Sequence, residues 1–175
     1  MTKHKRTVES SRELRCLVIT LSDRAARGVY ADRSGPKIRE LLESFLAARS
    51  IVATIEQRLL PDDAEQLRGE IVRGIQQGVD AIFTTGGTGV GPRDITPDTV
   101  APLCDRFIPG IMEHIRAKFG GGNPRARLSR GIAGIAGKTQ IYTLPGSVRA
   151  VEEYMPEILV TLEHIADVLR GGEVH

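Results

Sequence analysis

"VDAIFTTGGTGVGPRDITPD", residues 79–98, runs from an apolar stretch into a segment crowded with glycine and proline, then into a helix-start signal. The opening "VDAIFTT" is short and bounded by polar residues, which predicts a buried strand. Glycine lets a backbone approach a ligand closely, at a cost in folding entropy. A turn alone needs far fewer residues than Thr84 to Asp98 supply, so the segment reads either as a ligand loop or as an elaborate connector.

The same order of strand, polar loop and helix recurs on both sides of this stretch. Upstream, "RCLVITL" (15–21) is a strand buried on both faces, followed by a polar loop from Ser22 to Gly35. Pro36 then sits in a first helical turn behind Ser34, and Ile38, Leu41, Leu42, Phe45 and Leu46 recur at helical spacing. "IVATIEQRLL" (51–60) reads as a second strand, and Leu67, Ile71 and Ile75 mark one face of the helix after it. Downstream, Thr96 and Pro97 form an N-cap and first-turn pair of a short helix that Pro102 kinks or ends. "IMEHIRAKF" (111–119) is a helix, and the glycines at 120–122 break the pattern. "RGIAGIAG" (130–137) is a strand or a closely packed backbone, and "TQIYTL" (139–144) is a strand. The last helix carries the stripe Val151, Met155, Ile158, Leu159, Leu162, Ile165 and Leu169.

Parallel neighbours require crossovers, so this alternation predicts an α/β fold with a mostly parallel sheet flanked by helices on both faces. The expected organisation is a tail over residues 1–13 and a single domain over 14–175. In such sheets the loops beyond the carboxyl ends of the strands gather along one edge, where ligands bind. Residues 22–35, 61–63, 85–96 and 145–147 are placed at or near that edge.

Composition narrows the partners. Twenty-four basic against twenty-two acidic residues give a net charge of +2 with no basic block, which disfavours nucleic acid. Aromatic content of 4% with no tryptophan argues against stacking platforms for single strands. No apolar run approaches the ~20 residues of a membrane helix. The N-terminal "MTKHKRTVESSRELR" has basic residues without an apolar region behind them, so a solvated tail is expected in place of a secretory signal. Cys16 and Cys104 lack metal-like spacing; two reduced, structural thiols suit a cytoplasmic setting.

Within the central loop, Gly86, Gly87, Gly89 and Gly91 could aim backbone N–H groups at an anion, helped by the helix start near Pro97. The lysine of a P-loop and the spacing of a dinucleotide fingerprint are both absent. Asp94 in this loop and Asp62 beyond another strand could together hold Mg²⁺, which takes one or two carboxylates plus waters and phosphate oxygens. Asp62 with Glu65 three residues on equally has the spacing of a capping box. Asp98 is accounted for by the helix dipole. Ser147 reads both as an N-cap and as a phosphate contact. Arg149 and Lys138 read as surface charge, and His114, with no metal-spaced partner, as structural.

Taken together, "TTGGTGVGPRDITPD", "LSDRAARGVYADRSGP", "LLPDD", "LSRGIAGIAG" and "LPGS" resemble the molybdopterin-binding family, which includes molybdopterin adenylyltransferases and the G domains of eukaryotic molybdenum cofactor proteins. The resemblance spans Cys16 to about Leu169. It implies a three-layer α/β fold, a homotrimer, and Mg²⁺-dependent transfer of AMP from ATP to molybdopterin, with the molybdenum-insertion protein as a further partner. It carries the family's two acidic positions onto Asp62 and Asp94 as catalytic and metal-holding residues. Substrate contacts fall on Ser22, Asp23, Gly86, Gly87, Thr88, Gly89, Ser129, Pro145, Gly146 and Ser147. Val148 stands where many relatives have a second proline, so the resemblance does not carry over the exact shape of the "LPGS" loop. A molybdopterin-binding protein without catalysis and a trimeric interaction scaffold are the alternatives on the same fold.

Overall fold

The computed structural model describes residues 13–171. Residues 1–12 of the expected tail therefore lie outside the described residues, and the first strand already opens at Glu13. Six strands form one mixed sheet: β1 (Glu13–Leu21), β2 (Val52–Leu60), β3 (Ala81–Thr85), β4 (Arg106–Phe107), β5 (Ala133–Ala136) and β6 (Thr139–Leu144). Their spatial order is β2-β1-β3-β6-β5-β4. The pairs β1–β2, β1–β3 and β3–β6 are parallel, while β5 runs antiparallel to both β6 and β4.

The helices are α1 (Asp23–Ala26), α2 (Ser34–Ala47), α3 (Ala64–Gln76), α4 (Thr96–Val100), α5 (Pro109–Gly120) and α6 (Val148–Arg170). Side chains of a strand alternate between faces, and here both faces are covered. Cys16, Val18, Phe83, Tyr142 and Leu144 pack beneath Ile38 and Leu42 of α2, Met112 and Ile115 of α5, and Val151, Met155 and Ile158 of α6. Leu17, Ile19, Ile82 and Ile141 face the other way, against Leu67 and Ile71 of α3 and Val100 of α4. The result is a three-layer α/β fold. Each of these fully buried aliphatic side chains contributes about 1.5–3 kcal/mol of burial energy. No helix among the described residues is long and apolar enough to cross a membrane.

Several local expectations are corrected. The polar loop after β1 contains the short helix α1, because the Ser22 hydroxyl accepts from Ala25 N. Helix α2 begins at Ser34, and its first amides are satisfied by Asp32: Oδ1 accepts from Ser34 N at 3.0 Å and from Gly35 N at 3.2 Å. The cap of α3 is Asp63, whose Oδ1 accepts from Gln66 N at 2.8 Å, so Asp62 is released from capping. Thr96 is the first residue of α4 and not its cap; its hydroxyl donates to Gly86 O at 2.8 Å. Ser147 does cap α6, accepting from Ala150 N at 3.2 Å.

Candidate functional site

The chain turns back at β1: β2 lies on one side of it and β3 on the other, which makes the gap between the carboxyl ends of β1 and β3 a topological switch point. Three loops meet there main chain to main chain. Gly86, directly after β3, has φ +106°, and a Cβ at that position would collide with the Leu21 carbonyl oxygen. A Cβ on Gly146 would stand 3.2 Å from Gly86 Cα. Gly86 N donates to Leu144 O at 3.0 Å, and the Thr85 hydroxyl donates to Pro145 O at 2.9 Å.

Around this floor lie three adjoining cavities. The first, of about 360 Å³, is bounded by Gly87, Thr88, Gly89, Asp94, Ser129, Pro145, Gly146 and Ser147, with Asn123, Arg125 and Tyr154 closing its far side. The second, of about 340 Å³, holds Ser22, Asp23, Arg24, Tyr30, Asp62, Arg93 and Asp94. The third, of about 260 Å³, is lined by Ser22, Tyr30, Asp32, Ser34 and Gly146 among others. The first two volumes reach the range of small-molecule sites. Gly87 and Asp94 stand on the wall common to both.

The residues expected from sequence are thus brought together, with one exception in kind. Ser22, Asp23, Asp62, Gly87, Thr88, Gly89, Asp94, Ser129, Pro145, Gly146 and Ser147 all line these cavities. Gly86 lines none of the three; it acts beneath them, as the crossing point of the loops.

Asp94 is held by its own turn. Its Oδ2 accepts from Gly91 N at 2.8 Å and its N–H donates to Gly91 O at 3.0 Å. Gly89 approaches this carboxylate so closely that a Cβ there would stand 2.6 Å from Asp94 Oδ2. Asp23 and Asp62 are joined through Asp62 N, which donates to Asp23 Oδ1 at 3.0 Å. Ser22 and Tyr30 share a hydroxyl–hydroxyl hydrogen bond of 2.8 Å, and the Arg24 guanidinium lies 5.0 Å from the Tyr30 ring centroid.

Whether these groups suit Mg²⁺ follows from the donor set. Among the described residues no group of three or more His, Cys, Asp or Glu side chains is arranged to hold a metal unaided. Mg²⁺ seldom occupies such a cage; it keeps waters and shares one or two carboxylates with substrate phosphates. Asp23, Asp62 and Asp94 face one cavity, and without a cation their charges would repel a phosphate chain. The residues fit a cation that arrives with a polyphosphate.

Reasoning from sequence missed Tyr154, Asn123, Arg125 and Tyr30. The Tyr154 side chain is 2% exposed, and its hydroxyl has no hydrogen-bond partner among the described residues. An orphaned buried hydroxyl is costly, and this one belongs to a residue lining the first cavity. Asn123 caps the 3₁₀ turn Pro124–Leu128, accepting from Arg125 N at 3.2 Å, and this turn brings Arg125 to the cavity. Asn-Pro after a glycine run is a turn signal that could have located it.

Residues 17–164 match the family described as the probable molybdopterin binding domain. Gephyrin of Dictyostelium discoideum is 37% identical over 159 residues, covering 88% of this chain, which spans only 22% of gephyrin's own length. Molybdopterin adenylyltransferase of Haemophilus influenzae is 37% identical over 153 residues, covering 86% of this chain and 72% of the relative. The crystal structure of a molybdopterin biosynthesis protein from Mycobacterium abscessus superposes with a TM-score of 0.79 at 36% identity, covering 90% of this chain and 96% of that one.

Proposed function

The chain belongs to the molybdopterin-binding family, and from that premise we propose that it is a molybdopterin adenylyltransferase, which transfers AMP from ATP to the terminal phosphate of molybdopterin and releases pyrophosphate. The observation that carries this reading is the position of Asp94 on the wall between two cavities of ligand size. A transferase joining two bulky anions needs two adjoining basins and a charge-controlling group at their junction.

In this reading an oxygen of the molybdopterin phosphate attacks the α-phosphorus of ATP, and the bond from that phosphorus to the bridging oxygen of pyrophosphate breaks. The attacking phosphate is already anionic at neutral pH, so no side chain has to remove a proton. What the protein contributes is orientation and electrostatic preorganisation. The N–H groups of the loop from Gly87 to Gly89 and the start of α6 at Ser147 bind phosphate oxygens, and Arg24, Arg93 and Arg125 offset charge at the rims. Asp94 and Asp62, with Asp23 beside them, would hold Mg²⁺, whose role when bound is to neutralise phosphate charge as a Lewis acid. Tyr154 contributes to the wall of the first cavity.

The test is incubation of the protein with molybdopterin, ATP and Mg²⁺, with detection of adenylylated molybdopterin and pyrophosphate. Both products are expected, and Asp94→Asn should lose them. Molybdopterin bound without product would leave a binding protein in place of an enzyme.

A further inference from the structure

Arg130 lies between the 3₁₀ turn and β5, beside the glycine loop, yet its donors are directed at the protein itself. Its Nε donates to Gly89 O at 2.7 Å and its Nη2 to Asp94 O at 2.6 Å. Its Nη1 reaches both carboxylate oxygens of Asp98 at 2.9 Å, and its backbone N–H donates to Thr88 O at 2.8 Å. One side chain thus grips the loop on both sides of the Gly91–Asp94 turn, across 32 to 41 residues of sequence.

The rest of the loop shows what depends on this grip. Its base is fixed by Gly86 N on Leu144 O and by Thr96 N on Gly87 O at 3.0 Å. Its tip is closed by Asp94 on Gly91, a turn that fixes shape within itself but not its place in the molecule. Thr88 and Gly89, between base and tip, have their carbonyls held by Arg130. A free glycine segment samples many backbone states, and ordering each residue opposes binding. A planar guanidinium with diverging donors can satisfy several acceptors at fixed separations, which a lysine ammonium cannot.

We propose that Arg130 is the positioning residue of the site. Its guanidinium sets Gly89 and Asp94 in place before any substrate arrives, and Asp98 serves as the counter-charge that keeps the guanidinium turned toward the loop. Arg130 is therefore a brace and not an anion receptor, although it is a basic residue beside the glycine loop. The kinetic consequence rests on the adenylyl-transfer reading; the structural one does not.

Hydrogen exchange on the intact chain separates the two. In Arg130→Ala and Arg130→Lys, the amides of Gly91 and Thr96 should exchange about tenfold faster, while those of Val18 and Phe83 in the sheet keep their protection. Millimolar guanidinium should restore protection to Arg130→Ala. In the transfer assay, kcat should fall about 10²-fold in both variants, with little change in molybdopterin KM. Asp98→Asn, which keeps Arg130, should show the same loop effect in weaker form. Unchanged exchange at Gly91 in Arg130→Ala would overturn the proposal, as would equal loss of protection in loop and sheet. If Arg130→Ala fails to fold, Arg130→Lys and Asp98→Asn give the same readout. A wild-type protein with no transferase activity would sink the functional reading and leave the exchange result standing on its own.

Discussion

Asp23 and Asp62 each accept the other's backbone N–H: Asp62 N donates to Asp23 Oδ1 at 3.0 Å, and Asp23 N donates to Asp62 Oδ2 at 3.4 Å. The exchange ties the loop after β1 to the loop after β2. It leaves the other oxygen of each carboxylate without a hydrogen bond among the described residues, beside the second cavity.

Adjacent aspartates should therefore behave in opposite ways. Asp62→Asn keeps an acceptor oxygen for Asp23 N, so stability should stay within about 0.5 kcal/mol while adenylyl transfer falls about 10²-fold. Asp63→Ala removes the cap of α3 and should cost about 1 kcal/mol with transfer retained. Urea unfolding and product assays on the two variants decide; the reverse pattern would mean that the roles are exchanged.

Two glycines with positive φ make a second comparison. Gly28, at φ +72°, has open space where a Cβ would go, so Gly28→Ala should cost about 1–2 kcal/mol from backbone strain alone. Gly86→Ala adds a collision with the Leu21 carbonyl and should cost about 3 kcal/mol or more. Equal midpoints in urea for the two variants would refute the crossing-point role of Gly86.

Burial pushes the Cys16 thiol up to about 12 and the Cys104 thiol up to about 11, with nearby Asp80 and Asp105 adding to the respective shifts. Both remain protonated at neutral pH, and the thiolate is the reactive form. Iodoacetamide at pH 7.5 should label neither cysteine of the folded protein within an hour, and both rapidly in denaturant. Prompt stoichiometric labelling of the native chain would contradict this.

Glu157 is held below the usual carboxylate range by its hydrogen bond from Lys118 at 2.7 Å and then by His114 at 2.9 Å, against an opposing desolvation. A carboxylate depressed in the folded state adds stability above its unfolded pKa and loses it as pH falls through the folded value. Because Lys118 and His114 are exposed and screened by water, the contribution is at most about 1 kcal/mol. Lys118→Met should lower stability in the neutral region by at most about 1 kcal/mol and flatten the acid limb, the two curves converging as pH falls through the folded value of Glu157. An acid limb identical to that of the parent chain would rule this out.

The elements that could be read from sequence are those whose signal is local and periodic. β1, β3 and β6 are short apolar runs, and the helices carry stripes at spacings of three and four, so the layered fold and the edge where four loops gather were legible. β4 was not, because Arg106–Phe107 is a two-residue exposed strand made only by its pairing with β5. The cap of α3 was ambiguous by one position: Asp62 with Glu65 and Asp63 with Gln66 have the same spacing, and only the backbone turn selects Asp63. Arg130, Asp32 and Tyr154 were missed for a different reason. The partners of Arg130 are main-chain carbonyls and a carboxylate far away in sequence, Asp32 works through the amides of its own turn and Thr20, and Tyr154 hides inside an apolar helix stripe.

The crossing of three loops at Gly86 also fixes when the site can come into being. Its closing contact joins residues 60 positions apart at Thr85 and Pro145, and the neighbouring tie between Asp23 and Asp62 spans 39. Contacts of such separation form late, because chain closure has to precede them. A nascent chain that has emerged only as far as Gly137 already contains the glycine loop, Asp62 and Arg130, but β6 and the Pro145–Ser147 turn are missing, and with them the ground on which the loop stands. The first cavity is therefore complete only once the Pro145–Ser147 turn and the start of α6 have followed β6 into place, after the sheet itself is finished.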